Sequence, residues 1–420
     1  MMPPLRILII SDVSPLTISG GAERVLWEQA SRLVKHGHQV RIVGRSRAGS
    51  EEESVERQGV RIRHFPVDRR SLLRFVRTSI LEARRAALQE LAGARADVLQ
   101  VFQPLSGYGI LGSAVGQRIP SLYTFLSPAP LEYRSRRGMT RHHRGGWAGN
   151  SATAMLWIIE RACLRRATRI QVLSDFSADQ LWKLYRIPAE RIVKIPGGVD
   201  IERFQPAADR EAVREALGLP ARSPLLFSLR NLEARMGLDT LIRAMAILRR
   251  HVPEVLLLIG GAGSLRQELE SLAASLDLRG HVRFLGYVLE AHLPLYYQVA
   301  DLFVLPTREL EGFGLATVEA LACGTPVLGT RVGATPEVLL PLDRSLVFQD
   351  TTPEVMAEDL RRFLHAPRGD HVAAQSLRGV CRRYVEAGFT WDMSVSRLEA
   401  TLRDLALTKA PRAGPASQTR

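Results

Sequence analysis

The sequence predicts an α/β protein made of two Rossmann-like parallel-sheet domains that face each other across a cleft. Three observations predict it. At 420 residues the chain is too long for one ordinary core and suits two. Both halves alternate short apolar runs with helix-period stretches, the pattern of βαβ units. A polar stretch over residues 201–222, after PGGVDIERFQP begins, separates the halves as a linker.

In order, the run Leu5–Ser11 reads as a buried first strand. Ala22–His36 follows as a helix, with Val25, Leu26, Ala30, Leu33 and Val34 on one face and Gly37 ending it. Further strands are expected at Val40–Val43, Val60–Phe65, Val98–Val101, Leu122–Phe125, Ile170–Leu173 and Ile192–Ile195, which completes a domain over residues 1–200. The second domain, residues 223–390, repeats the scheme at Leu225–Leu229, Val255–Ile259, Val282–Leu285, Leu302–Leu305 and Val327–Gly329. A C-terminal helix is placed in 391–408, clearest over Ser394–Leu407. Residues 409–420 are too polar and too rich in Pro and Gly to pack, and read as a disordered tail.

Composition narrows the function classes. Hydrophobic residues at 46% and charged residues at 24% are globular usage. No apolar run approaches the length of a membrane span. The start, MMPPLRILIISDV, lacks the basic segment and cleavage site of a signal peptide. Cys163, Cys323 and Cys381 are odd in number and far apart, so a reducing cytoplasm is expected. The net charge is +14, and 53 of the 57 basic residues are arginine. Coding bias produces such a skew as readily as a polyanionic partner does. Aromatic residues, at 6%, are not interleaved with the basic ones, so no nucleic-acid partner is expected.

Ligands of open α/β sheets bind beyond the carboxyl ends of the strands. Three glycine-bearing loops fall there: SGGAE with Gly20 and Gly21, GGAGS at 260–264, and EGFGL at 311–315. The last opens the stretch EGFGLATVE, 311–319, which puts two glutamates eight positions apart, Glu311 and Glu319. Gly312 and Gly314 argue against one continuous helix, since each costs on the order of 1 kcal/mol in a helix interior. A loop through Phe313 and a helix from near Leu315 fits better. Glu311 then flanks a helix N-terminus whose bare N–H groups suit an anion with hydroxyls beside it.

The pieces GGAERV, VLSDFSADQLWKLYRIPAERIVKIPGGVDIERFQP, LRNLEARMGLDTLIRAM, GGAGSLRQELESLA and ADLFVLPTRELEGFGLATVEALACGTPVLGT occur in this order. With them the chain resembles the family 4 retaining glycosyltransferases of the GT-B fold, over nearly its whole length. That resemblance implies a hexose moved from a UDP- or GDP-sugar to an acceptor hydroxyl, in envelope polysaccharide or glycolipid synthesis. The nucleotide sugar is a co-substrate, and no cofactor is implied. Glu319 takes the place of the glutamate that binds the ribose hydroxyls, and Glu311 of the one that holds the donor sugar. The N–H groups of Leu315 and Ala316 would cradle the diphosphate, and Gly20, Gly21, Gly312, Phe313 and Gly314 are further expected to bind the substrate. Arg230 and Arg235 match an arginine and a usual lysine on the diphosphate. Base contacts are expected from backbone at Gly286–Val288, Val288 among them. No Asp-x-Asp occurs, so no metal ion is expected to bridge the phosphates. Many relatives have a histidine where Leu126 stands, which leaves donor-sugar identity open; His142 and His143 lie too far along to replace it. A phosphorylase or epimerase of the same fold is disfavoured. The alternative of another class is a degenerate transferase kept as a nucleotide-sugar-binding or scaffold protein.

Two basic clusters complete the reading. Residues 134–166 hold eight arginines against one acid, Glu160, with Trp147 and Trp157 among them. A helix near 69–91 places Arg70, Arg74, Arg77, Arg84 and Arg85 opposite Leu73, Val76 and Ile80. Both are expected to rest the first domain on an anionic membrane surface, where a lipid-linked or glycan acceptor is met.

Overall fold

The computed structural model describes residues 3–16, 18, 20–46, 54–136, 151–365 and 371–408. The first half runs β1 (Arg6–Ser11), α1 (Gly21–Lys35), β2 (Gln39–Arg45), β3 (Ser54–Arg57), β4 (Val60–Phe65), α2 (Leu72–Gly93), β5 (Val98–Phe102) and α3 (Pro104–Leu111). It continues with β6 (Ser121–Phe125), α4 (Ala129–Arg136), α5 (Ser151–Arg166), β7 (Arg169–Val172), α6 (Asp175–Tyr185) and β8 (Ile192–Lys194). Its strands order as β3-β4-β2-β1-β5-β6-β7-β8, parallel throughout except for β3 against β4. β1 shows why the run LRILII is apolar without alternation. Ile7 and Ile9 join the core on the α1 side, while Leu8 and Ile10 join a second core with Ala83, Ala87, Ile110 and Cys163 of α2, α3 and α5.

The second half opens with α7 (Arg210–Ala216) inside the stretch expected to be a linker. Arg210 and Arg214 both reach Asp301, each at 2.8 Å, so charge fastens this polar segment to the second domain alongside the packing of Val213 and Leu217 against its core. Burial would raise the Asp301 carboxyl, but the two guanidinium groups hold it below its ordinary value. Then come β9 (Leu225–Leu229), α8 (Leu238–Leu248), β10 (Leu256–Gly260), α9 (Arg266–Ser275), β11 (Val282–Gly286), α10 (Leu293–Val299) and β12 (Leu302–Leu305). α11 (Leu315–Ala322), β13 (Val327–Gly329), α12 (Thr335–Leu339), α13 (Pro353–His365), α14 (His371–Gly388) and α15 (Trp391–Leu407) follow. The sheet order is β11-β10-β9-β12-β13, all parallel. The order reverses between β9 and β12, and that switch point is where such a sheet opens a crevice at its carboxyl edge.

The chain crosses between the halves twice. The crossings lie side by side, with Val199 N–H donating to Phe389 O at 2.9 Å and Trp391 N–H to Val199 O at 3.3 Å. α15 then returns to the first half, where Asp404 pairs with Arg169 at 2.8 Å and Arg403 donates to Pro3 O at 2.9 Å.

Two expectations need correction or delimiting. Leu73 was expected on the buried side of α2, yet it is 74% exposed. α2 meets its neighbours only from Phe75 and Val76 onward, against Leu105 and Ile159, so Leu73 lies beyond the end of that contact. Arg137, Arg141, His142, His143, Arg144, Trp147 and the tail 409–420 lie outside the described residues.

Candidate active site

The loop between β12 and α11 forms the centre of the site. Gly314 takes φ +83°, the left-handed region that glycine enters without strain, and ends the loop by starting α11 at Leu315. Gly312 has no room for a side chain: a Cβ there would lie 2.5 Å from the carbonyl oxygen of Leu126, at the end of β6 in the other half. Leu126 therefore touches the loop by its backbone. Glu311 and Glu319 are 7% and 3% exposed, and Phe313 is buried between them.

Arg230 follows β9 directly, across the switch point from this loop. Its guanidinium pairs with Glu311, and Thr307 bridges them, accepting from Arg230 Nη2 at 2.8 Å and donating to Glu311 Oε2 at 3.0 Å. The Arg230 Nε–H is buried without a hydrogen-bond partner among the described residues. Arg235 sits one turn on, before α8, and donates from Nη1 to Leu310 O at 3.2 Å. The two arginines expected to share a target thus converge on adjacent residues, Leu310 and Glu311.

Glu319 lies one turn into α11 and faces elsewhere. Its Oε2 accepts from the Tyr297 hydroxyl at 3.0 Å, and its Oε1 meets Arg24 Nε at 3.1 Å. Burial and the adjacent carboxylate hold the Tyr297 phenol well above its ordinary value, so it stays a donor. Gly20 caps α1, and Gly21 faces Leu315 across the cleft. Val288, in the loop after β11, is buried against Gly260. Tyr287 beside it donates to Ile18 O in the first half at 3.1 Å.

Sequence reasoning did not find Thr307, Arg24, Tyr297 or Ser174. Ser174 caps α6 and donates to Gly312 O at 2.7 Å. Thr307 could have been found, because it stands two residues past a strand end in the crevice. Tyr297 and Ser174 act through partners distant in sequence. Among the described residues, no three His, Cys, Asp or Glu side chains gather as metal ligands.

Two parallel α/β halves that meet over one strand-to-helix loop, itself gripped from both sides, define the GT-B class of glycosyltransferases. Residues 19–203 match the family model described as Glycosyltransferase Family 4, and residues 209–379 match that of Glycosyl transferases group 1. The chain belongs to glycosyltransferase family 4. It is 31% identical to a GDP-mannose-dependent alpha-(1-6)-phosphatidylinositol monomannoside mannosyltransferase of Mycolicibacterium smegmatis, over 66% of this chain and 72% of that one. A D-inositol 3-phosphate glycosyltransferase of Thermobifida fusca is 28% identical over 96% and 94% of the two chains. In structure it is similar to sucrose-phosphate synthase of Thermosynechococcus elongatus, with a TM-score of 0.80 at 23% identity over 95% and 99% of the chains. HepE of Anabaena, solved with UDP and glucose, gives a TM-score of 0.74 at 17% identity, over 95% and 100%.

Proposed function

We propose that this protein is a retaining, metal-independent hexosyltransferase that takes its sugar from UDP or GDP and gives it to a glycan or lipid-linked hydroxyl. The observation that carries the reading is the meeting of Arg230, Thr307 and Glu311 at the switch point of the second sheet. A diphosphate would accept from Arg230 and Arg235, and donor-sugar hydroxyls would donate to Glu311, so the ligand replaces a buried ion pair without leaving either charge alone. Glu319 would accept from the ribose hydroxyls. The bond from the anomeric carbon to the phosphate oxygen breaks, and a bond to the acceptor oxygen forms on the same face. The acceptor proton passes to the departing phosphate oxygen, so no protein nucleophile is required. Arg230, Arg235 and the first N–H groups of α11 stabilise the charge that develops there. A relative named for GDP-mannose and for phosphatidylinositol monomannoside supports both the donor class and a lipid-linked acceptor.

A membrane-facing first domain agrees with the exposed stripe of α2, where Leu73, Arg77, Leu81, Arg84 and Arg85 alternate apolar and basic character. No helix among the described residues is long and apolar enough to cross a membrane.

Thermal shifts with UDP, GDP, ADP and oligonucleotides test the ligand class. One nucleoside diphosphate should stabilise the protein and oligonucleotides should not. Transfer should persist in EDTA. Loss of transfer on chelation, restored by Mg2+ or Mn2+, would replace the arginine-only account of the leaving group.

A further inference from the structure

α1 carries a charged ridge along the boundary between the halves. Arg24, Glu28, Arg32 and His36 recur every fourth residue and so lie along nearly one face. Arg32 reaches Asp200 at 3.4 Å and Asp392 at 3.2 Å beside the double crossing, and His36 reaches Glu399 at 2.9 Å. At the other end, Arg24 reaches the donor crevice. Its Nη2 meets Glu290 Oε1 at 2.7 Å, and Glu290 Oε2 is held in turn by Arg203 at 2.8 Å. Its Nε meets Glu319 at 3.1 Å. Arg24 is 7% exposed, and a guanidinium buried this far needs its counter-charges. Burial disfavours its charge, but Glu319 and Glu290 outweigh that and hold its pKa above the ordinary value.

Each carboxylate oxygen accepts two hydrogen bonds. On Glu319, Tyr297 takes one site on Oε2, and Arg24 Nε sits against Oε1 at 3.1 Å as an ion pair, so each oxygen keeps a site for a further donor. Two free sites on neighbouring oxygens suit the two adjacent hydroxyls of a ribose. Arg24 is therefore a companion of that ligand rather than its competitor. It also comes from the opposite half of the molecule, so its contact exists only when the halves sit as they do here.

We propose that Arg24 is a positioning residue that orients Glu319 across the domain boundary and so links recognition of the ribose hydroxyls to the arrangement of the two halves. This rests on the reading of Glu319 as the ribose-binding carboxylate. By linkage, whatever engages Glu319 through those hydroxyls must in turn favour this arrangement.

The test compares UDP and GDP with their 2′,3′-dideoxy forms by calorimetry, in the wild type, Arg24→Gln and Arg24→Lys. Wild type should prefer the ribo form of its nucleotide by about tenfold or more, the scale of lost hydrogen bonds to a charged group. Arg24→Gln should bring that ratio to within about twofold of unity. Arg24→Lys keeps the buried charge but cannot span both glutamates, and should fall between; it serves if the glutamine variant does not fold. A purely structural arginine would weaken both forms by one factor and leave the ratio intact, which overturns the proposal while the Glu319 reading stands. A wild type indifferent to the hydroxyls overturns that reading and the proposal with it.

Discussion

Glu311 and Glu319 are eight positions apart yet have separate surroundings: one is paired with Arg230 and Thr307, the other with Arg24 and Tyr297. Their substitutions should separate accordingly. Glu311→Gln keeps the shape and removes the charge proposed to hold the sugar, so turnover should fall by orders of magnitude with nucleoside diphosphate affinity little changed. Glu319→Ala should weaken that affinity instead. Steady-state kinetics beside calorimetry checks both, and equal, mild effects of the two on turnover and binding would contradict the assigned roles. These glutamates were legible because helix start, glycine loop and carboxylates all sit within nine residues. Arg24 was not. Its meaning comes from Glu290, 266 positions away, and from Glu319 further still, and no local pattern records such pairs.

Among elements, those built from apolar runs were legible, since a strand covered on both faces cannot be written otherwise. β3, with the sequence SVER, was missed; it is a short edge strand whose identity comes from antiparallel pairing with β4. α7 was read as linker because its sequence is mostly polar, with Val213 packed on the core beside the ion pairs to Asp301. Glu160 of α5, read as the lone acid of a basic cluster, proves to be a core residue that joins four elements. It accepts from Ala129 N–H of α4 at 3.1 Å and Tyr123 OH of β6 at 3.4 Å, and it pairs closely with Tyr185 of α6. Burial lifts its carboxyl from 4.5 to about 8, against the lowering hydrogen bonds of Tyr185 and Ala129. Between those values the folded protein holds a proton that the unfolded chain lacks, so stability must fall as pH rises through this window. Glu160→Gln, the neutral isostere, should flatten the decline of Tm between pH 5 and pH 8. An unchanged slope would show that Glu160 is not the group that titrates.

For the molecule as a whole, the two-domain plan was legible from length and from the repeated βα pattern, whereas the contacts between the halves were not. The exposed stripe of α2 leads to a prediction at this scale. Liposome sedimentation should show binding that needs anionic lipid and falls steeply with salt. It should weaken in the combined variant Arg77→Gln, Arg84→Gln, Arg85→Gln, with the thermal shift by nucleoside diphosphate preserved. Indifference to lipid charge would leave the acceptor in solution. The double crossing carries a different consequence, one of time. A chain made from its N-terminus at about 5–20 residues per second reaches the last helix roughly 10–40 s after leaving the first half. During that interval α1 lacks α15, and Arg32 and His36 lack Asp392 and Glu399. The first half to be synthesised is therefore the last to be completed. A ribosome-stalled chain ending before Trp391 should be cut by protease around α1 far faster than the full chain, and equal resistance would show that the first half closes by itself.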